Sequence, residues 1–188
     1  MFFNDRRILT AGDLAEFPTT LSSGLVRYEL LDGCLLILPP LTLDESRSFR
    51  DLLYQLTIQG EHRGFGTVWG RVGIIRSRNP DDVAAPEGCF IVTERLPPKT
   101  SAEDYLETMP DIVVEVVHHY DTPETMDEKV QRYLRAGVRV IWVPDPPNRV
   151  ITEYRPNQQP VVLNPNDTLT IPDIIPGFSV RVADLLPS

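Results

Sequence analysis

Glu115 stands in the run Pro110-Asp111-Ile112-Val113-Val114-Glu115-Val116-Val117, an acid among valines where packing alone would select hydrophobes. Strand alternation sets Asp111, Val113, Glu115 and Val117 on one face and Ile112, Val114 and Val116 on the other. One face is pure core. The other carries a carboxylate whose burial costs several kcal/mol unless it is paired or bound to a metal ion. Two plainer readings stand beside this one: a buried structural acid, or a strand whose second face is wet.

Lys129 is the natural partner. It lies about 80 degrees from the centre of the apolar stripe of Met126, Val130, Tyr133 and Leu134, taking roughly 100 degrees per residue, so it flanks the packed face and has the length to reach over a sheet. The competing reading is a solvated helix lysine paired with Glu124, Asp127 or Glu128. Asp111 is a poor co-ligand for Glu115, because four strand residues span about 13 Å; it is expected to cap or pair at the strand start. His118 and His119 follow the strand directly. Adjacent strand residues point to opposite sides, so a shared ion is not expected, and His118 is the better candidate of the two.

A carboxylate and lysine site is suited to phosphate chemistry. Acidic oxygens favour Mg²⁺ or Mn²⁺, which polarises a phosphate and generates hydroxide, while the lysine stabilises the charge that grows in the transition state. No Gly-x-Ser-x-Gly elbow, phosphate-binding glycine loop, dinucleotide fingerprint or His-Glu-x-x-His motif supports a more common hydrolase, nucleotide-binding or zinc-protease reading.

The elements that must position these residues are legible in outline. Glu115 and Lys129 belong to a strand, helix, strand unit over residues 110–143, the centre of an α/β domain. Its helix spans Glu124 to Gly137, with Gly137 as terminator, and Val138 to Pro144 form the second strand. Upstream, Thr10 to Phe17 read as a short capped helix. Arg27–Leu31 and Cys34–Leu38 meet across Asp32-Gly33 as a tight hairpin. Residues 42–60 form a helix ending at Gly60. Residues 66–75 read as one strand with glycine irregularities, Phe90-Ile91-Val92 as a short strand, and Ala102 to Leu106 as a helical turn within the loop that begins at Leu96-Pro97-Pro98-Lys99. Val150–Tyr154, Pro160–Leu163, Thr168–Thr170 and Phe178–Val180 are short extended pieces that close the fold as an antiparallel extension.

At 188 residues the chain fits a single domain over 1–188 with a substantial core. Eighteen basic against 27 acidic residues leave a net charge of −9, which disfavours non-specific attraction to nucleic acid. A local cluster of Arg63, Arg71, Arg76 and Arg78 offsets this, since it can contact phosphates. Cys34 and Cys89 lack metal-like spacing and are expected to be buried free thiols in a reducing compartment. The N-terminal Met-Phe-Phe-Asn-Asp-Arg-Arg lacks the apolar core of a secretory signal, and no apolar stretch approaches a membrane span. A cytoplasmic protein without membrane contact is expected. The exposed edge of the C-terminal strands makes a homodimer the expected assembly.

Taken in order, Tyr28-Glu29-Leu30-Leu31-Asp32-Gly33, then Ala85-Pro86-Glu87-Gly88 through Val92 with Glu94-Arg95-Leu96-Pro97, then Pro110-Asp111-Ile112-Val113-Val114-Glu115, then Lys129, Tyr133-Leu134-Arg135-Ala136-Gly137-Val138, Ile141-Trp142-Val143 and Pro176-Gly177-Phe178 resemble the Uma-two family of restriction-endonuclease-type proteins. The resemblance covers nearly the whole chain. It implies a branch of the PD-(D/E)XK nucleases: an α/β (α+β) restriction-endonuclease-like mixed sheet flanked by helices, with an N-terminal hairpin and the C-terminal antiparallel extension. It also implies that Glu115 is the acid of the E-x-K element, with the lysine migrated from the position of Val117 to Lys129. Glu87 takes the place of the principal metal ligand beside Glu115, and Glu29 matches an accessory acid of the site. A structural role for Glu29 on the hairpin edge stays equally open.

Two departures matter. The family has Pro-Asp where this chain has Pro86-Glu87, and the extra methylene displaces the carboxylate by about an ångström, a large shift for octahedral Mg²⁺. The family's Ser-Pro after the strand is replaced by His118-His119. The expectation is a Mg²⁺- or Mn²⁺-dependent enzyme cleaving DNA, and the alternative is a catalytically degenerate nuclease fold that binds nucleic acid or protein.

Overall fold

A computed structural model of the chain describes residues 8–22, 24–96 and 101–187. The N-terminal residues read for a secretory signal, and the loop segment Pro97–Lys99, lie outside the described residues. In chain order the elements are α1 (Ala11–Ala15), β1 (Thr20–Leu21), β2 (Gly24–Leu25), β3 (Arg27–Leu31), β4 (Cys34–Leu38), α2 (Leu43–Gln59), β5 (Gly66–Gly70), β6 (Ile74–Ser77), β7 (Asp82–Ala84), β8 (Gly88–Val92), β9 (Ile112–Val114), α3 (Pro123–Ala136), β10 (Val140–Asp145), β11 (Val150–Tyr154), β12 (Val161–Leu163), β13 (Thr168–Thr170) and β14 (Ser179–Arg181). Two compact units share them. One comprises Met1–Pro40, Arg71–Ala85 and Pro97–Met109; the other comprises Leu41–Gly70, Pro86–Leu96 and Pro110–Ser188.

The first unit is built on a four-stranded antiparallel sheet in the order β4-β3-β7-β6. Its hairpin turns at Asp32 (φ 50°) and Gly33 (φ 76°), two left-handed residues as a tight hairpin requires. Thr10 caps α1 through a reciprocal box with Asp13. Ala11, Leu14, Leu30, Ile75 and Val83 form its small core.

Three expectations are corrected. Residues 66–75 are not one strand: β5 ends at Gly70, Arg71 turns left-handed (φ 53°), and β6 begins at Ile74 in the other sheet. The helical turn at 102–106 does not form, because Leu106 is drawn into a parallel bridge with Ile74. Cys34 is exposed rather than buried, since it opens β4, which is an edge strand.

Two arginines of the expected basic cluster are already engaged. Arg76 is bound to Asp82 at 2.6 Å, and Arg78 reaches Glu103 at 3.2 Å and Glu107 at 2.9 Å. Carboxylates already neutralise the charge that Arg76 and Arg78 would have offered to phosphates.

The second unit holds a six-stranded mixed sheet, β12-β11-β10-β9-β8-β5. Only β9 and β10 are parallel, and α3 is the crossover that joins them. Thr122 caps α3, Pro123 occupies its first turn, and Gly137 ends it at φ 102°. Leu52 and Leu56 of α2 pack with Phe90, Ile112, Val114, Val140 and Trp142 on one face of the sheet, and Trp142 stacks on Phe178 at 5.5 Å from the C-terminal extension. Burying each of these large side chains contributes about 1.5–3 kcal/mol. Met126, Val130 and Tyr133 form the buried stripe of α3.

Candidate active site

The face of β9 opposite that core carries the chemistry. The Glu115 amide donates to the Trp142 carbonyl at 3.0 Å, so the parallel ladder with β10 runs one residue past the end of β9 and holds Glu115 in extended register. Gly88 pairs with Val114, Cys89 with Val113 and Phe90 with Ile112. Glu87 immediately precedes Gly88 and Glu115 immediately follows Val114, so the two acids flank the same end of this antiparallel pair. Both acids are 1% exposed.

From α3 two donors reach Glu115. Lys129 Nζ lies 2.8 Å from Oε2, and Tyr133 Oη donates to Oε1 at 2.7 Å. The solvated reading of Lys129 is set aside: its side chain is 21% exposed and its ammonium group is turned inward. Lys129 and Tyr133 are four residues apart, one helical turn, so a single face of α3 presents both. Lys129 thus serves one carboxylate oxygen of Glu115 and Tyr133 the other.

Against the turn after β9 stands a further acid that the sequence did not single out. Glu45, in the first turn of α2, closes a capping box with Thr42, accepts from the His119 amide at 3.2 Å and lies 3.6 Å from His118 Nδ1. Burial alone would raise its carboxyl, but the Thr42 amide, the His118 ring and the His119 amide outweigh that and hold it below the usual range. His118 is buried and stacks on Tyr120 at 5.1 Å, whereas the His119 ring is exposed. Desolvation raises the Tyr120 phenol, with Asp121, Glu45 and Glu87 pushing the same way and Lys129 opposing. Tyr120 therefore stands in the field of the acids and of the lysine. The signal that could have pointed to Glu45 is the Thr42-x-x-Glu45 capping pattern; its contact with the His118-His119 turn has no signature in sequence.

Asp111 plays the pairing role expected of it. Fully buried, it accepts from the Val92 amide at 2.9 Å, from Arg95 at 2.6 Å and from Arg139 at 3.2 Å. Glu29 belongs to the first unit, where it is buried and accepts from the Ala85 amide at 2.9 Å. Trp69, opposite Cys89 on β5, shares the face of Glu87, and its buried Nε1–H has no acceptor among the described residues.

The donor set bears on which ion the site can take. Among the described residues no three His, Cys, Asp or Glu side chains gather as a closed metal cage. Mg²⁺ is commonly carried by one or two carboxylates, with water and substrate phosphate completing its shell, and Glu87 with Glu115 matches that pattern. Burial pushes the Cys89 thiol up to about 12, so it stays protonated near neutral pH.

A mixed sheet whose parallel strands are joined by a crossover helix gives a restriction-endonuclease-like α+β fold. The structure is similar to the crystal structure of a "putative nuclease belonging to DUF820" from Anabaena variabilis ATCC 29413, with a TM-score of 0.77 at 15% identity over 94% of this chain and 97% of that one. The profile of the Uma2 family, described as "Putative restriction endonuclease", matches residues 14–183, and the chain belongs to that family. A comparison with curated proteins gives no match. No helix among the described residues is long and apolar enough to cross a membrane.

Proposed function

We propose that the chain is a divalent-metal-dependent endonuclease that hydrolyses DNA phosphodiester bonds. The observation that carries this reading is Glu115, buried on the sheet, held at both oxygens by Lys129 and Tyr133, and next to the Val114–Gly88 pair that Glu87 adjoins. Glu87 and Glu115 would hold Mg²⁺ or Mn²⁺, which when bound polarises the phosphate and lowers the pKa of a coordinated water. Tyr133 fixes the rotamer of Glu115. Lys129 keeps a positive charge beside the site, where it offsets the charge that grows on the phosphoryl oxygens. Glu29 serves as an accessory acid by orienting the Ala85 peptide, two residues before Glu87 in the chain.

Plasmid DNA incubated with Mg²⁺ or Mn²⁺ tests this. Wild type is expected to nick or linearise it, with Lys129→Ala and Glu115→Ala reduced at least about a hundredfold, the scale on which charge-stabilising donors act. Equal cutting by all three would reject the assignment.

Glu87 favours a second reading, a degenerate nuclease fold that binds nucleic acid or protein, because its extra methylene disturbs an octahedral shell. Calorimetric titration with Mn²⁺ separates the two. Saturable binding by wild type supports the enzyme; no binding by wild type, restored in Glu87→Asp, supports degeneration. A homodimer in a cytoplasmic setting completes the proposal: β12 is an edge strand with Val161 and Val162 exposed, and light scattering in solution tests the dimer.

A further inference from the structure

The turn that leads from β9 into α3 is tied down on both sides of Tyr120. The extended ladder with β10 runs on to Val117, whose amide donates to the Pro144 carbonyl at 3.0 Å. Beyond it the Asp121 amide donates to the His118 carbonyl at 3.0 Å, and the His118 amide donates back to Asp121 Oδ2 at 2.9 Å. Glu45 of α2 takes the next amide, that of His119, at 3.2 Å. The Tyr120 ring stacks on the buried His118 ring at 5.1 Å and meets the His119 ring edge-on at 5.1 Å. Its side chain is held in place, yet the residue stays 44% exposed.

The location of this turn has a functional meaning. It follows the carboxyl end of β9, just past Glu115, and Glu87 adjoins the same end of the β8–β9 pair. The helix it enters carries Lys129. Ligands of open sheets with parallel strands bind outside the carboxyl ends of those strands, where the loops to the helices lie.

A plain reading makes Tyr120 a cover for His118. That accounts for the ring but not for the hydroxyl, since a phenylalanine would cover His118 equally well. The hydroxyl forms no hydrogen bond among the described residues. Burial, Asp121, Glu45 and Glu87 all hold its proton in place against Lys129, so the group is a donor and not a nucleophile. A neutral donor suits such surroundings. An arginine or lysine among these acids would be drawn into an ion pair, whereas a phenol keeps its O–H for an arriving acceptor. We propose that the Tyr120 hydroxyl binds DNA at the acid and lysine site, donating to a non-bridging phosphate oxygen of the strand. The proposal rests on the nuclease reading of that site.

Two readouts on the full chain test it: anisotropy of a labelled DNA duplex in EDTA, where nothing is cut, and plasmid cutting in Mn²⁺. Tyr120→Phe, which keeps the ring, should weaken duplex binding about tenfold, the scale of a hydrogen bond to a charged group. The salt slope should not change, because no charge is removed. In cutting, KM should rise by a similar factor while kcat stays within about twofold, as loss of a contact made equally before and during reaction does. Tyr120→Ala should match Tyr120→Phe, and retained urea unfolding midpoints establish that both fold. If the acids repel the duplex in the absence of metal, KM alone decides. Tyr120→Phe indistinguishable from wild type in binding and KM, or lowered in kcat at an unchanged KM, overturns the proposal while the nuclease reading stands. If wild type binds the duplex but never cuts, and Tyr120→Phe binds more weakly, the contact stands and the nuclease reading falls; if wild type neither binds nor cuts, both fall.

Discussion

Lys129 Nζ stands 2.8 Å from Glu115 Oε2, joining the crossover helix to the strand it follows. The acid is inaccessible and the lysine partly so, which makes the two ends of the pair energetically unequal. Removing the lysine strands a buried charge, whereas removing the acid leaves an ammonium group that water can still reach.

Lys129→Met should therefore cost about 1.5–3 kcal/mol of unfolding free energy, the range for a buried charged partner losing its hydrogen bond, and Glu115→Gln in that background should recover part of it. A double-mutant cycle by urea denaturation measures the coupling. Additivity of the two substitutions within about 0.5 kcal/mol would show that the pair does not interact.

Asp111 is structural. With two arginines and a backbone amide converging on it, Asp111→Ala should lower stability by about 3 kcal/mol, near the low end for a broken buried pair because Arg95 and Arg139 can turn to water. Mn²⁺ affinity of the folded variant should match wild type. Lost metal binding in a folded Asp111→Ala protein would place this acid in the site after all.

Stability should fall at acid pH partly through Glu103. Hydrogen bonds from Arg78 bring its carboxyl down from an ordinary 4.5 to about 2. Between those values the unfolded chain binds the proton and the folded chain does not, so this stabilisation is complete above about 4.5 and disappears as pH falls towards 2. The difference in urea midpoint between wild type and Arg78→Ala should shrink between about pH 5.5 and pH 2.5. A difference that stays constant across that range would assign the effect to packing.

The two thiols should differ. Cys34 is exposed and Cys89 is buried, with its thiol pushed up to about 12. An aromatic disulfide reagent should titrate one thiol per native chain rapidly, and the second only after unfolding. Rapid reaction of both in the native protein would mean that β8 opens readily.

Local chemistry in the sequence determined a good deal. Asp32-Gly33 specifies its hairpin because both residues tolerate left-handed backbone, Thr42 and Thr122 start their helices as caps, and Gly137 ends α3. Alternation along 111–117 correctly divided a core face from an acid face. Each of these depends on neighbours a few residues away, which the chain order already contains.

Only tertiary structure decided who covers the acid face. Helical periodicity puts Lys129 beside the apolar stripe but leaves Glu124, Asp127, Glu128 and Glu115 as partners; the parallel β9–β10 pairing, with α3 as its crossover, brings Glu115 under the ammonium group. Tyr133 read as core for the same reason, since an apolar ring and a terminal hydroxyl share one side chain and only the strand beneath gives the hydroxyl its acceptor. The arginines of Asp111, the contact of Glu45 with the histidine turn and the break at Arg71 likewise depend on segments distant in sequence. Periodicity encodes which residues share a face; the long-range pairing of strands determines what that face meets.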